Sequence, residues 1–163
     1  MDFFDVISKR TSVREYSEKE ISRESIEKII NAGRLAATAR NVQPWRFVVV
    51  TGKERIQQLA KLVSPNGAFM IGASAAIVVL SVDTKYYIED CSAATENILL
   101  AATALDIGTC WIAGDKKDYS TEVASFAQAE GDERLVSVIA LGYPAKPVEP
   151  KEKQKLSELI KWL

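Results

Sequence analysis

Two guanidinium groups four residues apart, Arg10 and Arg14, bracket the hydroxyls of Thr11 and Ser12. Arginine presents a planar fork of N–H donors that suits phosphate oxygens or an electron-rich ring edge, so this segment is a compact donor set for either. The same residues also suit a basic helix end set against the macrodipole. A second candidate is Thr38 to Thr51, where Asn41 and Gln43 each offer a donor and an acceptor and Pro44 stiffens the turn. Such a loop can read the edge of a planar polar heterocycle, or simply join a capped helix to a strand. The third is Thr109-Cys110-Trp111-Ile112-Ala113-Gly114, directly after Gly108. Its small residues either let a ligand approach the backbone or mark a helix cap followed by a core strand.

What the chain lacks narrows the chemistry. Histidine is absent, which excludes Ser-His-Asp and Cys-His catalysis in their usual forms and leaves no basis for expecting a zinc site. Cys91 and Cys110 lack any CxxC arrangement and read as buried thiols. Catalysis, if present, therefore falls to an organic cofactor. Neither GxGxxG nor GxxxxGK[ST] occurs, so a phosphorylated cofactor would need other donors, such as Arg10, Ser12 and the lysines of the tail. With 21 basic and 22 acidic residues spread along 163 positions, no overall field favours nucleic acid or an anionic membrane. Acidic residues near the amino terminus, and no apolar run approaching ~20 residues, lead us to expect a cytoplasmic protein.

The elements that must position these residues follow from periodicity. Phe3, Phe4, Val6 and Ile7 predict a short amphipathic helix running into Arg10. Ser22 and Ser25 open a second helix, with Ile26, Ile29, Ile30 and Gly33 at helical spacing, that delivers the Thr38 loop. A third helix spans about Lys53 to Val63 and stops at Ser64-Pro65-Asn66-Gly67. Phe47 to Val50 and Ala75 to Val82 show no polar alternation and read as strands covered on both faces. The alanine-rich stretch from Asp90 to Asp106 predicts a helix buried almost all round. A helix near Ser120 to Gln128 and a strand from Leu135 to Leu141 lead to Gly142-Tyr143-Pro144 and an extended tail. Leu156, Leu159, Ile160 and Leu163 share one helical face that must dock, on a partner or on its own subunit. Helices alternating with buried strands and no repeat predict one domain, residues 1–163, with a sheet between helical layers.

Taken in order, Arg10 to Arg14, Asn41-Val42-Gln43-Pro44-Trp45-Arg46-Phe47, Gly108-Thr109-Cys110-Trp111-Ile112 and Leu141-Gly142-Tyr143-Pro144 resemble the FMN-dependent nitroreductase family. The match covers nearly the whole chain. It implies an α+β fold, a three-layer α/β/α sandwich with a central mixed sheet, assembled as a homodimer with FMN at the interface. By the same resemblance, Arg10 and Ser12 with Lys151 and Lys153 contact the FMN phosphate, Thr11 joins the cofactor-binding set, and Arg14 lies near the pyrimidine side of the flavin. Thr38 and Asn41 match a loop that reaches FMN from the partner subunit, Ala113 and Gly114 a backbone segment facing N5, and Asn66 an amide at the ring edge.

The implied activity is hydride transfer from NADH or NADPH to FMN and on to a nitroaromatic, quinone or similar acceptor. Dehalogenation, enone reduction or dehydrogenation on the same scaffold, and a non-catalytic FMN-binding dimer, stay as alternatives. The chain departs from the family pattern at Ala37-Thr38-Ala39, at Ala113 and at Phe69. Its shortness leaves little room for an inserted lid, which predicts an open pocket.

Overall fold

Trp45–Thr51 (β1) pairs antiparallel with Ala75–Ser81 (β2) in the computed structural model, which describes residues 1–163. Arg134–Gly142 (β4) pairs with the other edge of β2, and Gly108–Ala113 (β3) pairs with β4, giving the order β1-β2-β4-β3. These pairings are all antiparallel. The parallel component of the sheet is a single bridge from Ser12 to Thr109 on β3.

Helices cover both faces. Arg23–Arg34 (α2) and Tyr87–Ala104 (α4) pack on one, where Ile26, Ile29, Ile98 and Ala102 meet Ile77, Val79, Ile139 and Leu141. Lys53–Leu62 (α3) and Ser120–Phe126 (α5) pack on the other, where Ile56, Leu59, Met70 and Val123 meet Val78, Leu80, Val138 and Ala140. Successive strand residues point to opposite faces. With both faces roofed, β2 is buried at every position, as its unbroken apolar run predicts.

Local signals account for the helix ends. Ser22 caps α2 by accepting the Ser25 N–H at 3.1 Å. Phe3–Lys9 (α1) carries the chain into the Arg10 segment. In α4, Asp90, Cys91, Ala94, Thr95, Ile98, Leu99 and Ala102 are buried, whereas Ala93 and Ala101 are only partly so and Ala104 is exposed. The helix is thus less enclosed than its composition predicts.

Two expectations are corrected. β1 is a sheet edge, not a strand covered on both faces: Val50 is 4% exposed but Val49 is 40%. An edge strand has one sheet neighbour and here incomplete helical cover, so its apolar run extends past the surface its own chain can roof. The predicted terminal helix shrinks to one turn, Leu156–Leu159 (α6), with Leu156, Leu159, Ile160, Trp162 and Leu163 exposed. One turn makes too few backbone bonds to persist alone, and this chain offers the segment no apolar surface.

Candidate active site

The Arg10 to Arg14 segment lies along the open edge of β3. The Val13 N–H donates to Thr109 O at 2.8 Å and Ser12 bridges Thr109. Two glycines facing each other across the β3–β4 pair, Gly108 and Gly142, allow that approach. A Cβ on Gly108 would lie 2.7 Å from Val13 Cγ2, and one on Gly142 would lie 2.6 Å from Tyr16 Cδ1. Tyr16 then donates its hydroxyl to Val13 O at 2.7 Å. Burial, with Cys110 adding in the same direction against Arg14, holds the Tyr16 phenol well above its usual range, so it stays a donor.

This extended segment sorts its side chains by parity. Arg14 lines a cleft of about 280 Å³ with Asn66, Phe69, Cys110, Trp111, Ile112, Ala113, Lys117 and Tyr119. Thr11 and Val13 line a separate cleft of about 470 Å³ that includes Lys9, Asp106 and Lys146. The Cys110 thiol lines the Arg14 cleft. Burial pushes it up, while Arg14, a Ser12 hydrogen bond and Arg10 pull it down. Arg10 also lies 3.8 Å from the Glu96 carboxylate.

Two cleft features follow from the strand. The Arg14 guanidinium carbon sits 5.7 Å from the Phe69 ring centroid, a cation–π distance. Backbone alternation in an antiparallel ladder turns every second residue of β3 outward. Thr109 O accordingly accepts Val13, and Ala113 O accepts the Tyr119 hydroxyl, so the Ala113 N–H faces the open edge as well. Gly114 is different. Its N–H donates to Val136 O at 3.1 Å, and a Cβ on it would lie 2.6 Å from Leu135 Cγ. Close packing is therefore what this glycine serves, and its amide is engaged within the sheet.

A buried carboxylate organises the Thr38 loop. Asp90 Oδ2 accepts the Thr38 hydroxyl at 2.8 Å and Asp90 Oδ1 accepts the Ala39 N–H at 3.1 Å. Thr38 Oγ1 in turn accepts the Gln43 N–H at 3.1 Å. Arg40, Asn41 and Gln43 take left-handed backbones, with φ of 54°, 57° and 52°.

Within one chain, Arg14, Asn66 and Ala113 share the cleft at the β3 edge, while Ser12 bridges Thr109 and Arg10 lies near Glu96. Thr11 faces the other cleft, and Thr38 and Asn41 lie outside the Arg14 cleft. Lys151 and Lys153 are exposed on the extended tail. Lys117, Tyr119 and Asp90 belong to the site or its support yet have no sequence signal of their own. Cys110 and Trp111 lie inside the Thr109 to Gly114 segment, but the buried thiol and the exposed indole follow only from the strand register.

The nitroreductase family model matches residues 7–69 and 64–143, a span that contains every element around this cleft. The chain belongs to the nitroreductase family. A relative from Archaeoglobus fulgidus, provisionally named NADH dehydrogenase/NAD(P)H nitroreductase, is 40% identical over 146 residues, covering 85% of this chain and 83% of its own. A crystal structure from Bacteroides thetaiotaomicron with the same provisional name superposes with a TM-score of 0.92 at 32% identity, covering 98% and 96% of the two chains. An FMN-dependent nitroreductase from Clostridium difficile superposes at 0.91 with 25% identity, covering 98% of each chain. The α+β nitroreductase fold is thereby shown. The donor chemistry of this chain also fits the family's flavin: guanidinium and hydroxyl groups suit a phosphate, and a cation, an amide and aromatic walls suit a planar ring that gains negative charge.

Proposed function

We propose that this protein is an FMN-dependent oxidoreductase that uses NADH or NADPH to reduce nitroaromatics, quinones or related acceptors. The observation that carries this reading is Arg14 in a cleft walled by Asn66, Phe69 and Trp111, at the end of a segment that Ser12 and Val13 hold along the β3 edge. FMN, when bound, would supply two-electron chemistry between the nicotinamide and the acceptor.

The chain's own residues bind and orient. Arg10, with Lys151 and Lys153 from the tail, would neutralise the FMN phosphate, and the Ser12 hydroxyl would donate to it. Arg14 stabilises negative charge at the pyrimidine edge, an electrostatic task that needs no proton transfer and hence no histidine. Asn66 hydrogen-bonds the ring edge, and the outward Ala113 N–H addresses the N5 side, with Gly114 setting the turn behind it. Thr11 supports the segment from its other side. Thr38 and Asn41 complete the site of a partner subunit, so the working unit is a homodimer.

The homodimer reading draws support from apolar surface left bare by one chain. Phe3, Phe4 and Ile7 are exposed at one terminus, and Leu156, Leu159 and Trp162 at the other. No helix is long and apolar enough to cross a membrane, and we place the reaction in the cytoplasm.

Equilibrium FMN binding tests the phosphate site. Arg10→Ala and the Lys151→Ala/Lys153→Ala pair should each weaken binding by about tenfold or more. Unaltered affinity in both would remove these residues from the site, and light scattering that reports a monomer would remove the shared interface.

A further inference from the structure

Lys116 and Lys117 are neighbours that face opposite surroundings. Lys116 takes a left-handed backbone, φ 58°, and lines a hollow with Asp115, Asp132 and Glu133. Lys117 lines the Arg14 cleft instead, and no acidic side chain shares that lining. The turn holds this arrangement at both ends: the Lys117 N–H donates to Gly114 O at 3.3 Å, and Lys117 O accepts the Ser120 N–H at 2.9 Å. The lysine side chain itself is exposed. The chain's ion pairs engage Arg10, Arg23, Lys28, Arg46, Arg134 and Lys146, and neither Arg14 nor Lys117 has a carboxylate within ion-pair distance.

Two cations without counter-ions thus face one aromatic-walled cleft. Lys117 also lines an adjoining hollow of about 400 Å³, which shares Asn66 and Tyr119 with the cleft and adds Asp118 and Glu122. Lys117 thus lies at the join between the two hollows. A cation flanked by low-dielectric walls attracts an anion more strongly than one on an open face. Arg14 is assigned to the flavin, which leaves Lys117 to meet whatever enters against the ring.

Given the redox site proposed above, we propose that Lys117 is a specificity-determining residue that receives an anionic group, carboxylate or phosphate, on the molecule entering the cleft. The anion has two possible sources: a ring carboxylate on an aromatic acceptor, or the 2′-phosphate that distinguishes NADPH from NADH.

Calorimetric titration of the flavin-loaded protein with benzoate and with benzamide compares an anion with a neutral molecule of the same shape. Lys117→Ala should lower the benzoate-to-benzamide affinity ratio about threefold, and Lys117→Glu about tenfold. The wild-type preference should also fall as salt is added. An unchanged ratio, an equal loss of both ligands, or no benzoate binding to the wild type would each overturn the proposal.

Kinetic arms then identify the source. A change confined to NADPH over NADH assigns the anion to the co-substrate, and one confined to 4-nitrobenzoate over 4-nitrobenzamide assigns it to the acceptor. If Lys117→Glu alters neither ratio, the proposal fails. Turnover of 4-nitrobenzamide by the wild type tests the redox reading separately. Absent turnover with the benzoate preference intact would remove the reaction while keeping the anion site.

Discussion

The Asp90 carboxylate accepts the hydroxyl of Thr38 at 2.8 Å, joining residues 52 positions apart in the chain. Its second oxygen holds the Ala39 N–H, and Thr38 passes the constraint on by accepting the Gln43 N–H. Left-handed backbone costs a non-glycine residue about 1–2 kcal/mol, and three residues of this loop adopt it. The loop keeps that shape because charge-assisted hydrogen bonds donated to a buried acid offset the cost. Asp90 also sits in the first turn of α4, where negative charge is favoured.

Replacing Asp90 with Ala removes both acceptors from a buried site. The expected loss is about 2–3 kcal/mol of unfolding free energy, read from urea denaturation. Asp90→Asn should cost less, because its carbonyl retains one acceptor. If the Thr38 loop serves the partner's flavin, both variants should also bind FMN more weakly. Wild-type stability in Asp90→Ala would show that the loop holds itself.

Gly142→Ala would drive a methyl group into Tyr16, whose ring lies where that Cβ must go. The Tyr16 hydroxyl would leave Val13 O and loosen the Arg10 to Arg14 segment. A stability loss of about 1–3 kcal/mol is expected, together with weaker FMN binding. Unperturbed flavin affinity in a destabilised variant would uncouple this packing from the cofactor site.

Arg46 on β1 reaches Glu133 ahead of β4, with Nε 2.7 Å from Oε1 and Nη2 in contact with Oε2, and also donates to Gln128 O at 2.8 Å. The hydrogen bond from Arg46 is the main reason the Glu133 carboxyl lies below its ordinary value near 4.5. A carboxyl depressed by folding contributes stability that is present above the unfolded value and lost as pH falls through the folded one. Wild-type stability should therefore decline below about pH 4.5, and Glu133→Gln should flatten that decline. An identical acid profile in the variant would count against the pair.

Arg14→Ala should slow flavin reduction about 10–100-fold while FMN stays bound, because the lost cation stabilises charge that develops during the reaction. Stopped-flow reduction under anaerobic NADH or NADPH measures this. Unchanged rates would take Arg14 out of the electrostatic role.

Features encoded within a few residues were legible before the fold. Ser22 caps its helix, the largely apolar β2 is buried, and Arg14 lines a cleft beside β3. Features that depend on distant partners were not. Nothing near Asp90 announces a bond to Thr38, and the role of Gly142 appears only when Tyr16 lies over it. The segment from Thr109 to Gly114 had two readings because a ligand-facing loop and a buried edge strand both call for small apolar residues. It is a strand whose outward backbone groups face the open edge. The run through Val49 misled because hydrophobicity records total burial, and β1 lacks a second sheet neighbour within its own chain.

Flavin chemistry at the β3 edge is tested most directly by the visible absorption spectrum of the purified protein. Oxidised flavin bands that bleach on anaerobic addition of NADH or NADPH are expected. Bands that persist with both donors would contradict the reductase reading, and a protein that neither carries nor binds FMN would contradict the site itself.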